Sequence, residues 1–110
     1  MNQDIRICFV GDSFVNGTCD LAYLGWTGRL CLNLAEQGLR VTYYNLGIRG
    51  DTSADIVQRW EIETARRLKE GYDNRVVFSF GTNDTTLENG QRRVELTDSL
   101  RHTKQILSVA

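Results

Sequence analysis

The sequence predicts an α/β fold with a parallel sheet in the order β-α-β-α-β-α, forming one domain over residues 1–110. Three observations carry this. Short β-branched and aromatic runs alternate with longer stretches of helical periodicity, the pattern of strands joined by right-handed crossovers. Each apolar run ends at a glycine: Gly11, Gly47 and Gly81. No repeat, low-complexity segment or proline-rich linker interrupts the alternation.

Residues 5–10 (Ile-Arg-Ile-Cys-Phe-Val) read as a buried strand stopped by Gly11. Residues 24–37 place Trp26, Leu30, Cys31, Leu34 and Ala35 on one helical stripe, with Gly38 at the C-terminal cap. Residues 39–46 give a second strand ending at Gly47. Thr52 or Ser53 caps a second helix, with Asp55 in its first turn, a core face of Val57, Trp60, Thr64 and Leu68, and Gly71 beyond its end. Residues 75–80 form a third strand, broken by Gly81. After a polar loop over 82–91, a third helix carries Leu96, Leu100, Thr103 and Leu107 on its expected core face. Trp26 and Trp60 are assigned to packing, and Arg66-Arg67-Leu68-Lys69 to the solvated side of a helix.

Composition narrows the function. Hydrophobic residues at 41% and charged residues at 25% are those of a globular chain rather than a disordered one. Thirteen Lys and Arg against fourteen Asp and Glu leave a net charge of −1, without the basic excess that phosphate-backbone binding needs. No apolar run exceeds four residues, so membrane insertion is not expected. The first residues, Met1-Asn2-Gln3-Asp4, have neither a basic region nor an apolar stretch, so no secretory signal is read there and a cytoplasmic location is expected. Cys8, Cys19 and Cys31 are odd in number, contain no C-x-x-C pair, and are read as reduced thiols. With one histidine and three scattered cysteines, no structural metal site is expected. For the same reason of compartment, Arg49-Gly50-Asp51 is not read as an adhesion tripeptide, nor Asn16 and Asn83 as glycosylation acceptors.

In an open parallel sheet, ligands bind beyond the carboxyl ends of the strands. Here the three strands are followed by Gly11-Asp12-Ser13-Phe14, by Asn45-Leu46-Gly47-Ile48-Arg49-Gly50-Asp51, and by Gly81-Thr82-Asn83-Asp84. Each cluster alone is ordinary turn chemistry: a capping serine, turn glycines, an Asx-turn asparagine. All three on one sheet edge make a candidate site, in which Gly47 is read as a turn glycine without chemistry.

These clusters resemble the signature blocks of the SGNH (GDSL-type) hydrolases. Gly11-Asp12-Ser13 matches the first block, with Phe14 where leucine is commoner. Asn45-x-Gly47-x-x-Gly50-Asp51-Thr52-Ser53 matches the second, and Gly81-Thr82-Asn83-Asp84 the third, in the family's order and spacing. The resemblance covers essentially the whole chain. It implies a three-layer, flavodoxin-like sheet and a carboxylic ester or thioester hydrolase that works through an acyl-enzyme, acts on a small acyl ester, and needs no metal or organic cofactor. It also implies that Ser13 is the nucleophile, that Ser13, Gly50 and Asn83 form the oxyanion hole, and that Asp12 and Asp84 hold the loops. That division of labour suits acyl transfer, whose transition state builds negative charge on an oxygen and needs fixed donors.

One element has no match. The family's D-x-x-H motif, which holds its catalytic histidine near the end of a longer chain, is absent; Asp98 and His102 are spaced D-x-x-x-H, an i, i+4 helix pair. Counting 1.5 Å per residue from a helix start near residue 92 puts His102 roughly 15 Å from the active edge, as a surface residue. Flavodoxin-like sheets usually have five strands in the order 2-1-3-4-5, and three are read here. The chain therefore reads as the N-terminal part of an SGNH domain, with strand 75–80 as an open edge through which two copies would pair. Two other readings stand beside the hydrolase: a catalytically incomplete fragment or pseudoenzyme, and a flavodoxin-like module binding phosphate or a nucleotide. The last lacks a G-x-G-x-x-G or P-loop pattern and places Asp12 where phosphate would sit.

Overall fold

The computed structural model describes residues 4–110; residues 1–3, most of the segment examined for a leader, lie outside the described residues. Strand β1 (Asp4–Gly11) runs into a single-turn helix α1 (Ser13–Asn16), followed by α2 (Gly25–Glu36), β2 (Arg40–Gly47), α3 (Ser53–Arg67) and β3 (Asp73–Ser79). A 3-10 turn (Thr82–Thr85) and a short hairpin, β4 (Leu87–Glu88) with β5 (Gln91–Arg92), precede α4 (Leu96–Val109). The alternation read from the sequence is present, with two additions. Turn α1 is too short to show periodicity, and the hairpin occupies the stretch read as a polar loop. Because of that hairpin, α4 starts at Leu96 rather than near residue 92.

The main sheet is parallel, in the order β2-β1-β3. Gly11 lies opposite Gly47 on one side and Ser79 on the other, so all three strands end level and their loops emerge together. Central β1 is buried on both faces, as the middle strand of a covered parallel sheet should be. Its side chains alternate between two cores. Ile5, Ile7 and Phe9 pack with Val15 and Cys31 under α1 and α2; Cys8 and Val10 pack with Leu46, Ile56, Trp60 and Ile106 under α3 and α4. Phe9 meets Trp26 and Tyr43 edge-on, and Trp60 meets Phe78 the same way, the geometry that ring quadrupoles favour. Strand β3 pairs with β1 alone, so its other edge carries no strand among the described residues. No helix among the described residues is long and apolar enough to cross a membrane.

Helix α3 follows its sequence pattern. Thr52 caps it through a reciprocal box with Asp55, Trp60 and Thr64 are buried, and Val57 and Leu68 lean on the same core, joined by the fully buried Ile56. Helix α4 does not. Of its expected core face, Leu96, Leu100 and Leu107 point outward, 65%, 57% and 66% exposed, and only Thr103 is half-buried, whereas Ile106 is 1% exposed. The inward side of α4 carries Ser99 and His102, which hydrogen-bond to groups of the site described below. Polar anchoring therefore sets the rotation of this helix against its hydrophobic periodicity. On α2, Cys31 is buried and Leu34 half-buried, but Trp26 and Leu30 stay about two-fifths exposed; its close contacts are made by Gly25 against Gly17 and by Thr27, 2.6 Å from the Tyr43 hydroxyl of β2.

Two outcomes follow. Ile106→Ala should destabilise the domain by about 2–5 kcal/mol, the range for a large aliphatic truncated in a packed core. Leu100→Ala and Leu107→Ala should stay within about 0.5 kcal/mol. Urea unfolding of the three variants decides between the observed rotation and the one read from periodicity.

The thiols give the second outcome. Burial pushes the Cys8 thiol up from 9.0 to about 11, with the charge of Arg67 opposing it only in part, and burial also raises Cys31. A buried thiol that resists ionisation contributes stability below pH 9 that is lost as pH rises through 11. Unfolding midpoints should therefore fall between pH 9 and 11. At pH 8, iodoacetamide should modify the exposed Cys19 well before Cys8 or Cys31.

Candidate active site

The site begins where β1 ends. Asp12, 1% exposed, caps α1 by accepting the Phe14 N–H at 3.0 Å. Ser13 is the first residue of that turn and is half-buried, and its hydroxyl forms no hydrogen bond to another described residue. The turn is held from below by Asn45 at the end of β2. Its side-chain amide donates to the carbonyls of Val15 (3.0 Å) and Asn16 (3.3 Å), and its oxygen accepts the Gly47 N–H (2.9 Å).

Gly47 is not the turn glycine expected. It is the last residue of β2, and a Cβ there would collide with the backbone of Asn16 and Asp12. It is glycine for want of space. Gly50, by contrast, needs its backbone freedom. With φ at +82° it is the third residue of a turn closed by the Asp51 N–H on the Ile48 carbonyl (3.2 Å), the position that calls for glycine in a type II turn. Its carbonyl accepts from Arg93 at 2.8 Å, and its side of the loop is exposed.

Asn83 lies in the 3-10 turn after β3. Its amide donates to the Asp51 carbonyl at 2.8 Å, which leaves its second N–H free and ties the third cluster to the second. Asp84, 2% exposed, is the anchor of this region. One carboxylate oxygen accepts the Ser53 N–H at 2.7 Å, the other accepts the Ser99 hydroxyl at 2.7 Å, and its carbonyl accepts the Val94 N–H at 3.1 Å. A buried carboxylate is tolerable when its lone pairs are filled in this way. The three clusters read from the sequence are thus joined at one sheet edge, with Asp12 and Asp84 in loop-holding contacts.

His102 departs from the reading of it as a surface residue paired with Asp98. It is half-buried, its Nδ1 lies 2.9 Å from Ser53 Oγ, and Asp98 pairs with Arg101 instead. The physical reason is the later start of α4, which brings His102 to about 9 Å along the helix from its first residue and onto the N-terminus of α3. His102 therefore joins the polar layer behind the site and contacts Ser53, not Ser13.

Sequence reasoning missed Arg59, Arg93 and Ser99. Arg59 reaches from α3 to the Asp51 carboxylate (Nε, 2.7 Å) and to the Gly11 carbonyl (2.9 Å). The available signal was spacing: Arg59 and Glu63 are an i, i+4 pair on α3, and Asp51 lies two residues before that helix begins. Beside α1 lies a groove of about 420 Å³, lined by Asn16, Thr18, Cys19, Asp20, Tyr23 and Arg49 among others. Its wall is firm, because Asp20 accepts the N–H groups of Ala22 (3.0 Å) and Gly25 (2.7 Å) and pairs with Arg29 through both oxygens. Those backbone donors, more than the arginine, hold the Asp20 carboxyl below its usual range. Among the described residues no group of three His, Cys, Asp or Glu could hold a metal ion.

The profile of the GDSL-like Lipase/Acylhydrolase family matches residues 9–109. The chain belongs to that family. Its fold is that of solved SGNH esterases: AlinE4, described as an SGNH-hydrolase family esterase, superposes with a TM-score of 0.77 at 22% identity over 99% of this chain and 54% of its own. The psychrotrophic esterase EstA from Pseudoalteromonas sp., captured inhibited by monoethylphosphonate, superposes with a TM-score of 0.74 at 17% identity over 94% of this chain and 52% of its own. This GDSL-family chain thus spans about half the length of the solved esterases it resembles. No curated protein matches it.

The Asp84 junction is testable without reference to activity. Asp84→Ala would leave the buried Ser53 N–H and the Ser99 hydroxyl without their partner, at a cost of about 1–3 kcal/mol. At roughly 4–8 °C per kcal/mol for a domain near this size, calorimetry should record a clear drop in Tm.

Proposed function

We propose that this chain carries the nucleophile and oxyanion-binding part of a serine ester hydrolase. Ser13 Oγ attacks the carbonyl carbon of a small acyl ester or thioester while a base takes its proton. The oxyanion is held by the backbone N–H groups of Ser13 and Gly50 and the side-chain amide of Asn83. The alcohol or thiol leaves with the proton, and water then releases the acid from the acyl-enzyme. One observation carries this reading: a serine hydroxyl engaged by no other described residue stands at the sheet edge where the second and third clusters also converge, in a chain of the GDSL-like family. The groove beside α1 suits the apolar part of such an ester, with the exposed Tyr23 and Leu21 at its rim.

The base is not His102, whose Nδ1 is committed to Ser53. We assign it to a histidine that the 110 residues do not contain, His102 being their one histidine. A phosphate- or nucleotide-binding module is the weaker reading, because the Asp12 carboxylate already takes the Phe14 N–H at the first turn, the kind of donor a phosphate would need.

Without a base, triad enzymes retain roughly 10³–10⁴-fold acceleration over water from the oxyanion hole and binding. The 110-residue chain should therefore hydrolyse p-nitrophenyl acetate barely above background. Because that residual activity comes from the oxyanion hole and binding, Ser13→Ala and His102→Ala should each leave it nearly unchanged in this chain. Strong turnover abolished by His102→Ala would overturn both the assignment of the base and the role given to His102.

A further inference from the structure

We propose that Arg59 is a positioning residue whose single guanidinium sets the mutual placement of all three oxyanion donors. The inference rests on the esterase reading for what the donors do, and on geometry alone for how they are held. Arg59 projects from α3 toward the carboxyl edge of the sheet, with its side chain 14% exposed. Its three nitrogens are divided among three partners. One donates to the Gly11 carbonyl at 2.9 Å, two residues before Ser13. Nε donates to the Asp51 carboxylate at 2.7 Å, one residue after Gly50. The third donates to Glu63 at 2.9 Å, one turn along the same helix.

The hold on Asp51 passes further, because the Asp51 carbonyl accepts the Asn83 amide at 2.8 Å. A displacement of Arg59 therefore moves the backbone leading into Ser13 and the Gly50–Asp51 segment, and through the latter the amide of Asn83. Only a planar fork with several fixed donors can serve three acceptors at once; a lysine ammonium on its flexible stem reaches one or two without fixing their relative directions. Nor does Arg59 supply charge to the oxyanion. Its own positive charge is matched by two carboxylates, Asp51 and Glu63, so the cluster is net negative and its contribution is geometric. A second tie at the same carbonyl, the Ile48 N–H on Gly11 O at 3.0 Å, joins the first two clusters by backbone and shows how closely they are coupled there.

The test uses the 110-residue chain labelled with nitrogen-15. Arg59→Lys and Arg59→Ala are compared with Glu63→Gln, which removes the third partner's charge and leaves both loop contacts. The readouts are the amide resonances and hydrogen exchange of residues 12–14, 48–52 and 82–84, together with Tm. In Arg59→Lys, amides of all three segments should shift and exchange faster at nearly unchanged Tm, while Glu63→Gln leaves them in place. Guanidinium ion added to Arg59→Ala should move the resonances back. If Arg59→Ala does not fold, Arg59→Lys, which keeps the charge and most of the packing, carries the test alone. With imidazole supplied as an external base in place of the missing one, phosphonylation of Ser13 by a p-nitrophenyl alkylphosphonate, followed by mass spectrometry, should slow by roughly 10- to 100-fold in Arg59→Lys, the effect of a misplacement of about 1 Å. A wild-type chain that takes no label would count against the esterase reading, with the amide readout still deciding Arg59. Unmoved loop amides in both Arg59 variants, or shifts spread evenly over the chain with a matching loss of Tm, would overturn the proposal.

Discussion

The close approach of chain segments at the end of β1 is the constraint on which the rest of the site depends. At Gly11 a Cβ would collide with the Ser79 carbonyl and the Val15 side chain, and at Gly47 one would collide with the backbone of Asn16 and Asp12. Side chains at these two positions would push β3 and α1 outward and separate the three loops that the parallel strands deliver to one edge. With glycine at both, β1 ends level with its neighbours, and the turn bearing Ser13 lies directly over the end of β2. Asn45 then seals the arrangement by filling the carbonyls that the single turn of α1 leaves open.

Around that contact the protein uses buried polar groups rather than apolar ones to hold its loops. Asp12, Asp51, Thr52, Ser53 and Asp84 are all buried; Asp51, Ser53 and Asp84 bond to distant residues, and Asp12 and Thr52 cap helix starts. A buried carboxylate is costly without donors, so each such group specifies a narrow geometry when its donors are present. Asp84 joins α3, the hairpin region and α4 in this way, and Arg59 joins β1 to the second loop. The loops are thereby fixed to the scaffold by directional bonds, the preorganisation that the oxyanion donors proposed above would need.

The same polar layer explains the orientation of α4. Ser99 and His102 turn inward to Asp84 and Ser53, and Ile106 follows them into the core, while Leu96, Leu100 and Leu107 are left outward. A helix chosen only for hydrophobic burial would lie about one residue-step around its axis from the observed position. The outward leucines and the open edge of β3 lie on the same flank as the grooves lined by Thr103 and Leu107, so the apolar surface there is continuous from strand to helix.

What the sequence by itself determined was the order of elements, the parallel sheet and the three loop clusters. These are local matters: strand and helix periodicities are properties of neighbouring residues, and a glycine or a cap such as Thr52 announces itself within four positions. The placement of Ser13, Gly50 and Asn83 at the loop edge of the sheet was legible for the same reason, since each lies within a few residues of a strand end. Tertiary structure alone decided what depends on residues far apart in the chain. The reason Gly47 is glycine lies thirty-one residues earlier, in Asn16. The partner of His102 is Ser53, forty-nine residues away. The reach of Arg59 to Gly11 spans forty-eight. Helix α4 was misread because its rotation is set by hydrogen bonds to a buried carboxylate and a serine on other elements, and no periodicity within its own fourteen residues records that those bonds outweigh three exposed leucines.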